Sequence, residues 1–123
     1  MLGVDIRNLV IADPTFISLA GDRLYPVLLP EDAPLPSATY QVISTLPLYA
    51  SGGRVAFTQT RLEIDTWADT YQHAKTLATA ISNVLDDYSG GDIEHIAIVT
   101  SQDLYEPSAR VYRVRLDYLI QHS

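Results

Sequence analysis

The sequence predicts an α+β fold: a largely antiparallel sheet of four to five strands packed on one long helix, with a short N-terminal helical segment, in the order α-β-β-β-α-β-β. Three observations predict it. Apolar residues recur at helical spacing from Tyr71 to Tyr88. They alternate with polar residues at period two over residues 55–68 and again over 111–120. Clusters of proline and glycine separate the periodic stretches. The chain has 123 residues, which suits one domain over 1–123 with a core that needs no covalent staples.

Taken in order, residues 4–12 read as a short helix with Ile6, Leu9 and Val10 on one side. Asp13 and Pro14 look like an N-cap followed by a first-turn proline. A turn or two then runs through Phe16, Ile17 and Ala20, and Gly21 stands where a C-terminal cap belongs. Residues 24–28 form a short extended piece, and Pro26 within it points to a sheet edge. Three prolines and two acids make 29–36 a loop. Residues 37–46 read as a strand, and 47–54, with Gly52 and Gly53, as a long hairpin connection.

The strand over 55–68 has the strongest alternation. Leu62, Ile64 and Thr66 share one face; Arg61, Glu63, Asp65 and Trp67 share the other. At 69–72 the period changes, and Asp69 with Gln72 three residues on has the pattern of a capping box. Tyr71, Ala74, Leu77, Ala78, Ile81, Val84, Leu85 and Tyr88 then form the apolar stripe of a half-buried helix. Gly90 and Gly91 end it. Residues 93–104 read as a strand, 103–109 as a turn around Pro107, and 111–120 as a last strand. In that strand Val114, Leu116, Tyr118 and Ile120 oppose Arg113, Arg115 and Asp117.

Composition narrows the function classes. With 47% hydrophobic and 19% charged residues the chain is of globular type. It has no cysteine, which excludes disulfides and thiolate metal sites. No apolar run reaches the roughly 20 residues a membrane helix needs. The first residues lack the basic start and apolar centre of a signal peptide, so synthesis in the cytoplasm is expected. The net charge is −7, Lys75 is the only lysine, and the seven arginines are scattered. Sequence-specific nucleic-acid binding wants a basic patch, which this pattern does not supply. Arginine in place of lysine suits paired, partly buried contacts.

Candidate chemistry is sparse. Glu63, Asp65 and Asp117 could suggest a metal-dependent nuclease, but arginines at alternate positions favour ion pairing. His73, His95 and His122 have no partners at ligand spacing, and His73 and His122 read as surface residues. The double glycines match no phosphate loop, and no serine lies in a nucleophile elbow. No catalytic, cofactor-binding or metal-binding residue is predicted. Trp67 reads either as a core residue at a strand end or as an interface anchor. Tyr25 and Tyr105 are expected at the sheet edge with satisfied hydroxyls.

Four stretches, in their order and spacing, carry a resemblance to a known family. They are Gly21-Asp22-Arg23-Leu24-Tyr25-Pro26; Pro34-Leu35-Pro36-Ser37-Ala38-Thr39-Tyr40-Gln41; Ile64-Asp65-Thr66-Trp67-Ala68-Asp69-Thr70-Tyr71 followed by Ala74-Lys75; and Asp103-Leu104-Tyr105-Glu106-Pro107 with Tyr112-Arg113-Val114. Over about residues 13–118 the chain resembles the small tail-completion, or tail-terminator, proteins of long-tailed phages and related tailed particles. The resemblance implies a non-enzymatic virion protein. It would form a ring, usually hexameric, on the head-proximal end of the tail tube, stop tube growth and join the head connector while genomic DNA passes through. The loop 46–54 matches no pattern of that family.

On this reading the expected partners are further copies of the chain, the tail tube protein and a head-completion or connector protein. No cofactor and no membrane are expected. Arg61, Glu63, Asp65, Trp67, Arg113, Arg115 and Asp117 are candidates for a subunit interface, because opposite charges on neighbouring strands can pair into a flat contact face. The bland reading is a solvated face. Leu48, Tyr49 and Arg54 are candidates for contact with the tube or a neighbour. Glu31, Asp32, Asp86 and Asp87 are candidate channel-lining acids that would keep DNA from sticking. Two other classes compete: another head–tail connector or tube-like subunit, and a small enzyme or ligand-binding domain.

Overall fold

The computed structural model describes residues 1–123. Eight elements follow one another: α1 (Leu2–Ile11), α2 (Pro14–Ala20), β1 (Leu24–Pro26), β2 (Ser37–Tyr49), β3 (Val55–Ala68), α3 (Tyr71–Leu85), β4 (Ile93–Glu106) and β5 (Val111–His122). The strands form one five-stranded sheet in the order β1-β2-β3-β5-β4. All three helices lie on one face and the other face is left open, so α+β holds. Two parts of the expected architecture are corrected. The sheet is mixed, because β1 runs parallel to β2. The helical layer is three helices rather than one long helix with a short N-terminal segment, because the turns expected around Phe16 close into a separate helix, α2.

Local chemistry explains the boundaries. Asp13 accepts from the Phe16 N–H at 3.0 Å and Pro14 opens α2. Gly21 ends that helix at φ 58°, a left-handed conformation that costs glycine nothing. The cap of α3 is Thr70, whose Oγ1 accepts from the His73 N–H at 3.1 Å; Asp69 is not the cap. Helix α3 stops at Leu85, before the glycines expected to end it. The strands run longer than the sequence shows. β2 reaches Tyr49, β4 reaches Glu106 and β5 reaches His122. Residues in these extensions gain ladder bonds in spite of Pro47 and the polar run in β4.

The core lies between α3 and the faces of β3 and β5. Ala74, Leu77, Ala78, Ile81 and Leu85 of α3 meet Leu62, Ile64, Val114, Leu116, Tyr118 and Ile120, all buried. Burial of Leu77, Ile81 and Leu85 stabilises by about 1.5–3 kcal/mol each. Ile6 and Val10 of α1 and Phe16 and Ala20 of α2 close the layer. Thr66 ties sheet to helix by donating to the Ala74 carbonyl at 3.0 Å. Burial pushes the Tyr118 phenol well above its usual range, so the hydroxyl stays protonated beside Ser82. Tyr71, placed by periodicity on the apolar stripe, is exposed. Its hydroxyl donates to Asp103 at 2.8 Å, and its ring stands edge-on to Tyr112.

Arginine does the joining that its excess over lysine suggested. Arg7 donates to the carbonyls of Leu24 at 3.0 Å and Asp22 at 3.1 Å. Arg23 forks onto the Pro36 carbonyl, at 3.1 and 2.9 Å. These bonds fix β1 and the start of β2 against α1, and so place the loop of residues 27–36.

Candidate functional site

The open face of the sheet is built from the outward residues of β3 and β5. Register puts Asp65 opposite Arg115, Trp67 opposite Arg113, Glu63 opposite Asp117 and Arg61 opposite Leu119. Asp65 takes the centre. It accepts from Arg113 Nη2 at 2.6 Å and from Arg115 Nε at 3.1 Å. The side chains of Asp65 and Arg113 are 8% and 11% exposed, so the pair is nearly desolvated and each charge depends on the other. Arg113 also donates to Glu106, which reaches back from the end of β4. Its guanidinium lies 4.1 Å from the Trp67 ring centroid. Trp67 Nε1 donates to Thr39 Oγ1 on β2 at 3.2 Å.

Glu63 closes the network less comfortably. Arg115 Nε lies 3.0 Å from it, while Asp65 and Asp117 stand nearby. Burial, followed by the Asp65 charge, holds the Glu63 carboxyl above its usual range, and Arg115 offsets this only in part. Arg115 in turn is held above its ordinary value by its bond to Asp65. Asp117 does not join the ion pairs; it accepts from Thr100 Oγ1 at 3.0 Å. Arg61 is exposed and takes part in no ion pair. The sequence therefore locates the charged face, and the structure draws together five of its seven candidates: Glu63, Asp65, Trp67, Arg113 and Arg115.

A concavity of about 510 Å³ opens over this face, walled by Leu28, Pro30 and Glu31 of the 27–36 loop and floored by Asp65, Trp67 and Arg113. The loop residues and Glu106 were missed as members of the site. No local signal marks them, because both reach the face from segments that read as turns. Leu28 stands 77% exposed at the rim.

The other candidates sit elsewhere. Leu48 and Tyr49, expected in a loop, belong to β2, opposite Phe57 and Val55. Only 50–54 form the turn, with Gly52 and Gly53 at positive φ and Arg54 at its end. The last rung joining β3 to β5 is Thr58 to His122, so β2 and β3 continue past it as a two-stranded arm. Tyr49 is 66% exposed on that arm. Glu31 and Asp32 are exposed in the loop over the open face, whereas Asp86 and Asp87 follow α3 on the helical side. The four acids therefore do not form one cluster. His122, expected as a free surface residue, is half-buried, with Nε2 2.8 Å from Thr60 Oγ1. His95 lies 3.2 Å from Asp87.

The molecule is thus a one-sided sheet whose open face is locked by buried ion pairs, with an exposed arm at one end. The chain belongs to the tail completion protein gp17 family, whose sequence profile matches residues 4–123. It is thus a structural protein of a phage-type tail. No curated protein matches the sequence. Among solved structures, the fold is similar to a chain of the virion of the native gene transfer agent (GTA) particle. The TM-score is 0.72 and the identity 20%, covering 95% of this chain and 90% of that one. At that identity the likeness is one of fold.

Proposed function

We propose that the protein is a tail terminator. Copies form a closed ring, a hexamer, on the head-proximal end of the tail tube. The ring stops tube growth and presents the surface that binds the head-completion or connector protein, while genomic DNA passes through its centre. The observation that carries this reading is the match to a tail-completion family over nearly the whole chain. The open face and the arm give the reading a physical basis. On it, Glu63, Asp65, Trp67, Arg113 and Arg115 form a rigid platform against which a partner subunit docks, with Arg61 and Asp117 at its border. Leu48, Tyr49 and Arg54 on the arm contact the tube or a neighbour. Exposed acids of one pair, Glu31–Asp32 on the open side or Asp86–Asp87 on the helical side, face the channel and keep the duplex from adhering.

Electron microscopy of assembled tails tests the proposal directly. A single ring of this protein at the head-proximal end is expected. A copy repeated along the tube would make it a tube subunit, and a place on the head side would make it a head-completion protein. A chain that stays monomeric even with tubes present would overturn the ring.

A further inference from the structure

Both sides of the sheet leave strand backbone unpaired, on β2 beyond the short β1 and on β4. β1 covers β2 only as far as Tyr40, whose carbonyl takes the Val27 N–H at 2.8 Å. Val27 itself is held at φ 66°, a strained conformation for a β-branched residue, and there the chain turns away from β2. Residues 42–49 of β2 are then a free edge. On the opposite side, the Ile96 N–H and carbonyl are taken by Tyr88 and Asp87. Residues 98–106 of β4 are free beyond that point. A long free edge usually carries charge or proline to discourage pairing. β2 has no charged residue in thirteen, and Pro47 and one bulge are its only interruptions. Val42, Ile43, Leu46 and Tyr49 are exposed on β2, and Ile98, Val99 and Tyr105 on β4.

We propose that the free edge of β2 in one copy pairs with the free edge of β4 in the next, so that the sheet runs on from subunit to subunit. This rests on the ring reading and specifies its seam. Three observations favour a second copy as the occupant. Each molecule offers one edge of each kind, which makes a head-to-tail contact of the sort that closes rings. Successive antiparallel pairings of β2 with β3, β3 with β5 and β5 with β4 leave β2 and β4 running in opposite directions. A copy set alongside without inversion therefore presents β4 antiparallel to β2, the favourable ladder. Charge also matches. Arg54, beyond the end of β2, forms no ion pair within the chain, and neither do Asp92 and Glu94 at the start of β4, whereas Asp103 and Glu106 are held internally by Lys75 and Arg113.

Register adds a geometric consequence. Val42, Leu62, Tyr118 and Ile98 lie in one row across the sheet. The free part of β2 runs from that row towards the arm, and the free part of β4 runs the other way. Pairing them staggers each copy along the strand direction, as a closed sheet of tilted strands requires. The stagger carries Arg54 at the arm tip towards Asp92 and Glu94 of the neighbour.

Because the chain lacks cysteine, cross-linking can read the seam cleanly. Thr45→Cys on β2 is combined in turn with Ser101→Cys and Gln102→Cys on β4, in protein assembled on tails, and treated with a short bis-maleimide. The expected result is a ladder of linked species ending at one fixed multiple, present in a double variant and absent from the single variants. A dimer from Thr45→Cys alone would mean a two-fold contact and overturn the proposal. Rings by microscopy without any ladder would overturn the seam and leave the ring standing; absence of rings would remove both. As a second measure, Arg54→Glu should weaken self-association by about tenfold and Glu94→Arg should restore it. Failure of that rescue in a variant that still forms rings would also count against the seam.

Discussion

Arg113 lies over Trp67, 4.1 Å from the ring centroid, while its Nη2 donates to Asp65 at 2.6 Å. One side chain thus links the aromatic surface of the open face to its buried charge. The ring and the carboxylate together hold the guanidinium in place. The face is therefore set before any partner arrives, which reduces the ordering cost of association.

The first prediction concerns that pair. Asp65→Ala should destabilise the fold by about 2–3 kcal/mol, because it leaves Arg113 nearly buried beside an empty position. The loss should be below that of a fully buried pair, since Glu106 still holds Arg113. Asp65→Leu combined with Arg113→Met should recover most of it, because the nearly buried guanidinium is gone, Glu106 is exposed enough to be hydrated and Arg115 keeps Glu63. Urea denaturation of the parent and the two variants gives the comparison. Equal stability of the single and double variants would mean the pair is solvated.

Glu63 sets a pH dependence of unusual sign. Its carboxyl is held above its ordinary value of 4.5 by burial and by Asp65. The folded protein therefore keeps a proton that the unfolded chain has released, and stability falls as pH rises from about 4.5 through the folded value. Above that value the penalty is constant. Glu63→Gln should remove the fall and be more stable than the parent at neutral pH. Asp103 acts oppositely and in a separate window. Tyr71 and Lys75 hold its carboxyl below 3.8, so its contribution is lost only as pH drops under that value. Thermal melts between pH 4 and 7 show the first effect. A Glu63→Gln curve parallel to the parent's would refute it.

A third prediction separates two neighbouring residues. Thr70→Ala should cost about 1 kcal/mol, because the His73 N–H loses its acceptor at the start of α3. Asp69→Ala, one residue earlier, should cost much less. Chemical denaturation of both variants decides between them. The reverse order would restore the capping box read from Asp69 and Gln72.

How far the sequence carried depended on whether a feature is local. Leu62, Ile64, Leu77, Ile81 and Tyr118 were legible as core because a two-residue or 3.6-residue period reports which face is buried. The N-cap at Asp13 and the left-handed Gly21 were legible because each is one residue's chemistry. Asp65 opposite Arg115 was legible once β3 and β5 were taken as neighbours. Glu106 bonding back to Arg113, and the 27–36 loop over Trp67, were not. Both depend on where the chain returns after a turn, and no period encodes that. The parallel pairing of β1 was hidden for the same reason. Three residues carry no alternation, and the bonds of Arg7 and Arg23 that place them span 13 to 17 positions.

The arm carries the last prediction. β2 and β3 extend past the last rung to β5, and the side chains of Tyr49 and Val55 stay exposed. Nothing in the core rests on them. Replacing residues 49–56 with a two-residue Asn-Gly turn joins Leu48 to Phe57, which already pair, across a shorter hairpin. The shortened chain should melt within a few degrees of the parent, since it loses only an exposed two-stranded ladder. Its failure should appear in assembly: tails that lack a terminal ring, or tubes that overgrow. Normal tail length with a stably bound short-armed ring would show that the arm makes no essential contact. A large drop in melting temperature would instead show that it belongs to the fold.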